Sequence, residues 1–377
     1  ILRCLVGSEM CIRDRIKSFK INKSLIWLCI SSIALIVILL ICYFVLTTPI
    51  LPVSGQTEKY IYSNDVAESK KKKDYIKWFE FKVSYEVLDK TSKLDINSHQ
   101  KNEAVKYNWV ELISYLACKY QNNFSKFKQA DLDKLVAELK SGKTIEELTK
   151  KMKLYKYYFE GYDSALHEFI GEYQIEIKGS NSTEKKFEEK YGLKAFCPIA
   201  KGYSFSHYDD FGASRSYGYK RVHFGNDLMG NIGTPIIAVE SGIVEAVGWN
   251  QYGGWRVGIR SFDKKRYYYY AHLRKNHPYA ENIKEGQIVQ AGDVIGYLGM
   301  TGYSTKENVN NINVPHLHFG IQLIFDEVQK EGPNQIWCDL YDLVNFLQRN
   351  RSEVYKSNQE TKDYSRKIDF IDSNVPD

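Results

Sequence analysis

Two histidines flank a leucine in Pro315-His316-Leu317-His318-Phe319, and the apolar run 319–325 that continues it has the composition of a strand. Side chains on a strand alternate faces, so His316 and His318 share one face while Leu317 and Phe319 share the other. Two imidazoles held on rigid backbone suit a site where one binds a metal ion and the other acts on a substrate beside it. A solvated strand face could carry the same pair. Two further clusters lie upstream, His223-Phe224-Gly225-Asn226-Asp227 and Tyr270-Ala271-His272-Leu273. A catalytic zinc site takes three N or O ligands and leaves the fourth position to water. His223, Asp227 and one histidine of the pair supply that set. His272 and the other histidine remain for proton transfer or for holding a developing oxyanion.

The elements that must position these residues follow from composition. After about Phe196 the chain turns to short β-branched and aromatic runs, at 236–239, 243–247, 256–260 and 266–271, punctuated by glycines. Many short strands with glycine turns imply an all-β domain, here 196–347, in which 340–347 adds a terminal helix. Residues 348–377 read as a charged tail, disordered or loosely packed. Upstream, residues 74–178 read mainly as helices. Trp109, Leu112, Ile113, Leu116, Ala117 and Tyr120 recur with helical spacing, as do Leu132, Leu135, Val136 and Leu139 ahead of Gly142. Thr144 and Glu147 form a capping box, and the Tyr/Phe-dense stretch 155–173 is assigned to the core. The polar stretch opening at Gly179 makes 179–195 a linker.

Residues 25–46 contain no charge, and their 22 residues extend about 33 Å as a helix, enough to cross a bilayer core of about 30 Å. This predicts a transmembrane helix, retained rather than cleaved as a signal peptide. Lys17, Lys20 and Lys23 precede it and the next cation is Lys59, so the N-terminus is expected in the cytoplasm and everything after Pro49 outside. Residues 47–73, with Pro49, Pro52 and the run Lys70 to Lys73, are a linker. Residues 1–15 fit no element and resemble translated sequencing-adapter read-through, so they are excluded from the fold. The expected class is thus α+β and multidomain, with a span, a helical region and a mainly antiparallel β domain.

Of the net charge of +6, residues 1–54 carry +4, which leaves no global basis for nucleic-acid binding. Seven cysteines without C-x-x-C spacing form neither a disulfide framework nor a thiolate zinc site, and Cys118, Cys197 and Cys338 are expected as buried free thiols.

Together the motifs resemble the zinc peptidases of the M23, or lysostaphin/LytM, type. The family's H-x-G-x-D matches 223–227, G-T-P-x-x-A matches 233–238, Y-x-H-L matches 270–273, a glycine ladder matches 286–305 and P-H-L-H-F matches 315–319. The resemblance covers roughly residues 196–345. It implies an open antiparallel β fold with a groove, zinc bound by His223, Asp227 and His318, and catalysis by His272 and His316. It implies peptidoglycan as partner, with hydrolysis of stem or cross-bridge peptides. One departure is the segment 306–314 (KENVNNINV), which stands where many members have a single glycine and is expected to shape one groove wall. Arg215, Tyr217, Gly218 and Arg221 are candidates for lining the groove and, with equal weight, for a structural role. The leading reading is a membrane-anchored enzyme acting on cell-wall peptides at the outer face of a Gram-positive bacterial membrane, and the alternative implied by degenerate relatives is a zinc-binding, non-catalytic interaction protein at a division or sporulation septum. All five positions are filled here, which favours the enzyme.

Overall fold

The computed structural model describes residues 75–177, 185–217, 219–332 and 334–375, and residues 72–377 form one compact unit. The expectations for 1–15, 25–46 and 47–73 fall outside the described residues. Among the described residues no helix is long and apolar enough to cross a membrane.

Of the candidate site residues, Asp227, His316 and His318 lie on strands of an eight-stranded sheet whose pairings are all antiparallel, and His223 and His272 lie just beyond strand ends. Across it run Ile288–Val289, Gly242–Asn250, Gly254–Ser261, Arg266–Ala271, His316–Leu323, Asn226–Met229 and Ser206–His207, with Ile336–Trp337 added at the far end of His316–Leu323. Strand alternation decides what each face does. Leu317, Phe319, Ile321 and Leu323 point into the core with Tyr268, Tyr270, Val257 and Ile259, all essentially buried. His316 and His318 point to the opposite face, as their spacing predicts.

The helices Tyr85–Gln100, Trp109–Tyr120, Gln129–Lys140, Ile145–Thr149 and Tyr155–Leu166 precede the sheet. Asn108 caps the second through hydrogen bonds from the Val110 and Glu111 N–H groups, and the Thr144/Glu147 capping box forms in both directions. The stripe on 109–120 is buried along its length. It meets the terminal helix Tyr341–Leu347, where Trp109 stacks on Phe346 at 5.9 Å. Arg266, fully buried in the sheet, donates to both carboxylate oxygens of Glu240, to Asp263 and to the Ser164 carbonyl at 2.6 Å. Ser164 belongs to the 155–166 helix, so this one guanidinium ties the helical region to the sheet.

Three boundaries read from sequence are corrected. The segment 74–178 ends in a strand, Ile170–Glu176, and the expected linker 179–195 contains another, Phe187–Leu193, paired along its whole length with the first. Lys and Glu on the exposed side of 187–193 disguise it as a polar connector. The expected tail 348–377 is ordered over its described residues, 348–375: Val354–Asn358 pairs with Asp363–Arg366, and Phe370–Asp372 pairs with Ile170–Glu176. Phe370 is buried against Tyr173 and Phe196, and Asp363 accepts hydrogen bonds from Tyr297 and Thr361 and lies 2.8 Å from the His277 imidazole. A few apolar anchors suffice where the charged residues between them face water. Cys197 and Cys338 are buried free thiols, and Cys118 is half-buried.

Candidate metal centre and groove

His318 lies directly across the ladder from Asp227, and His316 from Met229, so register alone brings a carboxylate beside an imidazole. His223, four residues before Asp227, enters from the turn that leads into Asn226–Met229. The ligand atoms converge tightly. His223 Nε2 lies 3.0 Å from Asp227 Oδ1 and 2.9 Å from His318 Nδ1, while His318 Nδ1 lies 3.0 Å from Asp227 Oδ1. His223 uses its other nitrogen, Nδ1, on the Asp210 carbonyl at 3.0 Å, which leaves the neutral ring a lone pair on Nε2. Three acceptor atoms turned on one another are satisfied by a cation, and N, N and O are the donor set zinc takes. The residues therefore fit the ion.

Burial works against the Asp227 charge, but hydrogen bonds to His223 and His318 hold its carboxyl far below the usual carboxylate range. Burial also lowers His318, more than its contact with Asp227 raises it. For His223 the balance falls the other way: Asp227 and Asp210 raise it despite burial. A second layer supports the cluster. Arg215 Nη2 reaches Asp210 Oδ2 at 2.6 Å and the outer oxygen of Asp227 at 3.2 Å, so Asp227 is oriented with Oδ1 inward.

His272 and His316 stand next to this cluster with ring centroids 4.8 Å apart. Each spends Nδ1 on a backbone carbonyl, His272 on Thr301 at 2.8 Å and His316 on Val314 at 2.7 Å, so each carries its lone pair on Nε2. His316 Nε2 lies 3.7 Å from Asp227 Oδ1. Burial, then the neighbouring His316 and His318, holds His272 down at about 3, so it is neutral at physiological pH. His272 also has a left-handed backbone, φ 62°, costly for a residue with a Cβ and sustained by its N–H bond to the Gly253 carbonyl.

All five residues open onto a cavity of about 670 Å³. Its walls include Arg215 and Arg221 on one side, Asn311 to Val314 of the 306–314 segment on another, and Tyr269 and Trp337 along the floor. The segment is pinned, with Asn308 accepting from Trp255 Nε1 and Asn311 donating to the Tyr303 carbonyl. Arg221 lies between the rings of Tyr252 and Tyr303, and Tyr217 stacks on Tyr303. Asp210 escaped the sequence reading because its contacts with Arg215 and His223 obey no short spacing. Thr301 and Val314 contribute through backbone carbonyls, which residue type does not reveal.

Three inward ligand atoms beside two uncommitted imidazole nitrogens, at a groove on an antiparallel sheet, make the layout of a metal-dependent hydrolase. Residues 221–330 match the model of Peptidase family M23, and the chain therefore carries an M23 peptidase domain. The L-Ala--D-Glu endopeptidase of Bacillus subtilis (strain 168) is 40% identical over 124 residues, 33% of this chain and 36% of that protein. Lysostaphin of Staphylococcus simulans is 41% identical over 99 residues, 26% of this chain and 17% of that protein. The solved catalytic domain of lysostaphin from Staphylococcus simulans is similar at 36% identity and a TM-score of 0.26, over 32% of this chain and 80% of that one. The chain thus spans little more than a third, or less, of these curated relatives' length.

Proposed function

We propose that this protein is a zinc-dependent endopeptidase that hydrolyses peptide bonds in the stem or cross-bridge peptides of peptidoglycan. The observation that carries the reading is the convergence of His223 Nε2, Asp227 Oδ1 and His318 Nδ1 within about 3 Å beside the two free Nε2 atoms of His272 and His316. The names of its relatives support the substrate, among them a peptidoglycan DD-endopeptidase of Vibrio cholerae, 35% identical over 105 residues.

His223, Asp227 and His318 would hold a zinc ion, which would supply Lewis acidity to a scissile carbonyl and to water. The chain's own residues handle the protons. One neutral imidazole accepts a proton from the attacking water through Nε2, and burial keeps His272 in the form able to do so. The other, entering with Nε2 protonated, donates a hydrogen bond to the carbonyl oxygen as it gains charge, and the proton taken from water passes from the first imidazole to the leaving nitrogen as the C–N bond breaks. The bonds to Thr301 and Val314 prevent either ring from presenting its wrong nitrogen. The uncharged stretch 25–46 supports single-pass anchorage, with the peptidase domain on the outer face of the membrane.

The test is mass spectrometry of peptidoglycan digested with the zinc-loaded full-length protein, a chelated sample and His272→Ala. New amine and carboxyl termini confined to the loaded wild type are the expected result. Intact peptides despite stoichiometric zinc would overturn the enzyme in favour of a non-catalytic zinc-binding partner at the septum.

A further inference from the structure

On the His272 side of the groove, hydrogen-bond donors gather without an acceptor. Arg256 lines the cavity half-buried, and among the described residues its guanidinium has neither a carboxylate nor a hydrogen-bond partner. Two neighbouring basic groups are neutralised: Lys330, on the helix Glu327–Lys330, pairs with Glu245, and Arg260 bonds Glu327. Arg221, on the facing wall, meets the Tyr252 and Tyr303 rings through its planar faces, and its Nη1 has no hydrogen-bond partner. Between them stands Tyr269. Burial raises its phenol, while Asn250 and the charges of Arg256 and then Arg221 pull the other way, so both guanidiniums act on this hydroxyl.

The hydrogen of that hydroxyl is available. Asn250 accepts the Tyr252 and Gly253 N–H groups on Oδ1, which fixes its amide so that Nδ2 donates to the Tyr269 oxygen at 3.1 Å. The phenol therefore already accepts, and among the described residues its O–H has no acceptor. Gly253 makes room for this arrangement, since a Cβ there would fall 2.2 Å from the Tyr269 hydroxyl. The two carboxylates that line the same cavity are Asp227 of the metal cluster and the exposed Glu331 beside Lys330, so two cations and a phenolic donor face one open space as an anion-binding group.

The ladder locates it. Val257 pairs with Tyr270 and Ala271 pairs with His318, so Arg256 lies two strands from the His318 strand, about 10 Å across the sheet. The Tyr269 ring abuts the His318 ring at 5.9 Å. An extended peptide advances about 3.5 Å per residue. A group held by Tyr269 and Arg256 thus belongs within about three residues of a bond cut at the metal centre.

We infer that Arg256, with Tyr269 and Arg221, forms a subsite for a free carboxylate on the substrate peptide. The groove is then built for an acidic stem peptide, such as one with a γ-linked glutamyl residue whose α-carboxylate is free, and not for a neutral glycine bridge. This specificity rests on the endopeptidase reading. Arg256 is a specificity residue and takes no part in bond breaking.

The probes are three synthetic peptides: L-Ala-γ-D-Glu-L-Lys with blocked termini, its α-carboxamide counterpart, and pentaglycine. With zinc-loaded full-length protein, kcat/KM should favour the carboxylate over the carboxamide by about tenfold or more. In Arg256→Gln that ratio should fall to about twofold or less, through KM, and Arg256→Lys should retain most of it. Stoichiometric zinc binding by both variants establishes that they fold. Equal kcat/KM for the two glutamyl peptides, a ratio unchanged in Arg256→Gln, or cleavage of pentaglycine alone would overturn the subsite while leaving the endopeptidase intact. If none of the peptides is cut, calorimetric binding decides. A preference for the carboxylate that Arg256→Gln removes supports the subsite apart from the hydrolase, and equal or undetectable binding overturns it.

Discussion

Replacing Gly225 by alanine should weaken metal binding through contact alone. The φ of Gly225 is not left-handed, so its backbone tolerates a side chain. The space does not. A Cβ there would lie 2.7 Å from His318 Cε1, 2.8 Å from His318 Nε2 and 2.7 Å from the Phe319 carbonyl oxygen. The carbonyl faces the Asn226–Met229 strand, where Phe319 pairs with Asn226, and backbone in a ladder yields little, so most of the adjustment falls on the His318 ring, which must retreat by about 0.7 Å to reach ordinary contact. Metal–ligand distances tolerate only about 0.2 Å. The expected cost is about 1–3 kcal/mol in the folded protein and about 10- to 100-fold in zinc affinity. Competition against a chromophoric chelator measures the affinity, and thermal unfolding with zinc removed measures the stability, where a drop of about 2–8 °C is expected. Zinc affinity within twofold of wild type, together with an unchanged melting temperature, would refute the reasoning. It would show that the glycine in this motif is not there to make room for the ligand across the ladder.

Two further outcomes follow from charged groups beneath the groove. Arg266→Met strands the buried Glu240 and should cost about 3–5 kcal/mol in urea unfolding, with partial recovery on adding Glu240→Gln; a loss below about 1 kcal/mol would contradict the buried ion pair. Burial pushes the Asp163 carboxyl up, but His167 and Lys265 more than reverse this and hold it at about 2. Its folded-state value lies below its unfolded one, so the stability it adds is present above about pH 4 and is lost as pH falls towards 2. Between pH 5 and 2 the wild type should lose up to about 2 kcal/mol more than Asp163→Asn, and parallel pH–stability curves would exclude that role.

The candidate site was legible because its residues obey local rules. Period-two alternation put His316 and His318 on one face, and H-x-G-x-D kept His223 and Asp227 close enough to meet across one turn. The residues that complete the site obey no such rule. Asp210, Arg256 and Tyr269 reach it through sheet register and side-chain length, which only the assembled ladder specifies. The helical stripes and the Thr144 cap were readable for the same reason as the histidines. The strands 187–193 and 354–372 were not, since a half-exposed strand rich in Lys and Glu has the composition of a linker and is defined by its partner.

The position of Ile170–Glu176 between Phe187–Leu193 and Phe370–Asp372 sets the timing of biogenesis. The first hairpin can close as soon as residue 193 emerges, but its outer edge remains open while nearly 180 further residues, the whole peptidase domain among them, are still being made. An unpaired strand edge is a template for joining other chains. A polypeptide halted before residue 370 would carry every residue of the groove, yet Tyr173, Gln174 and Ile175 would lack the strand that pairs with them.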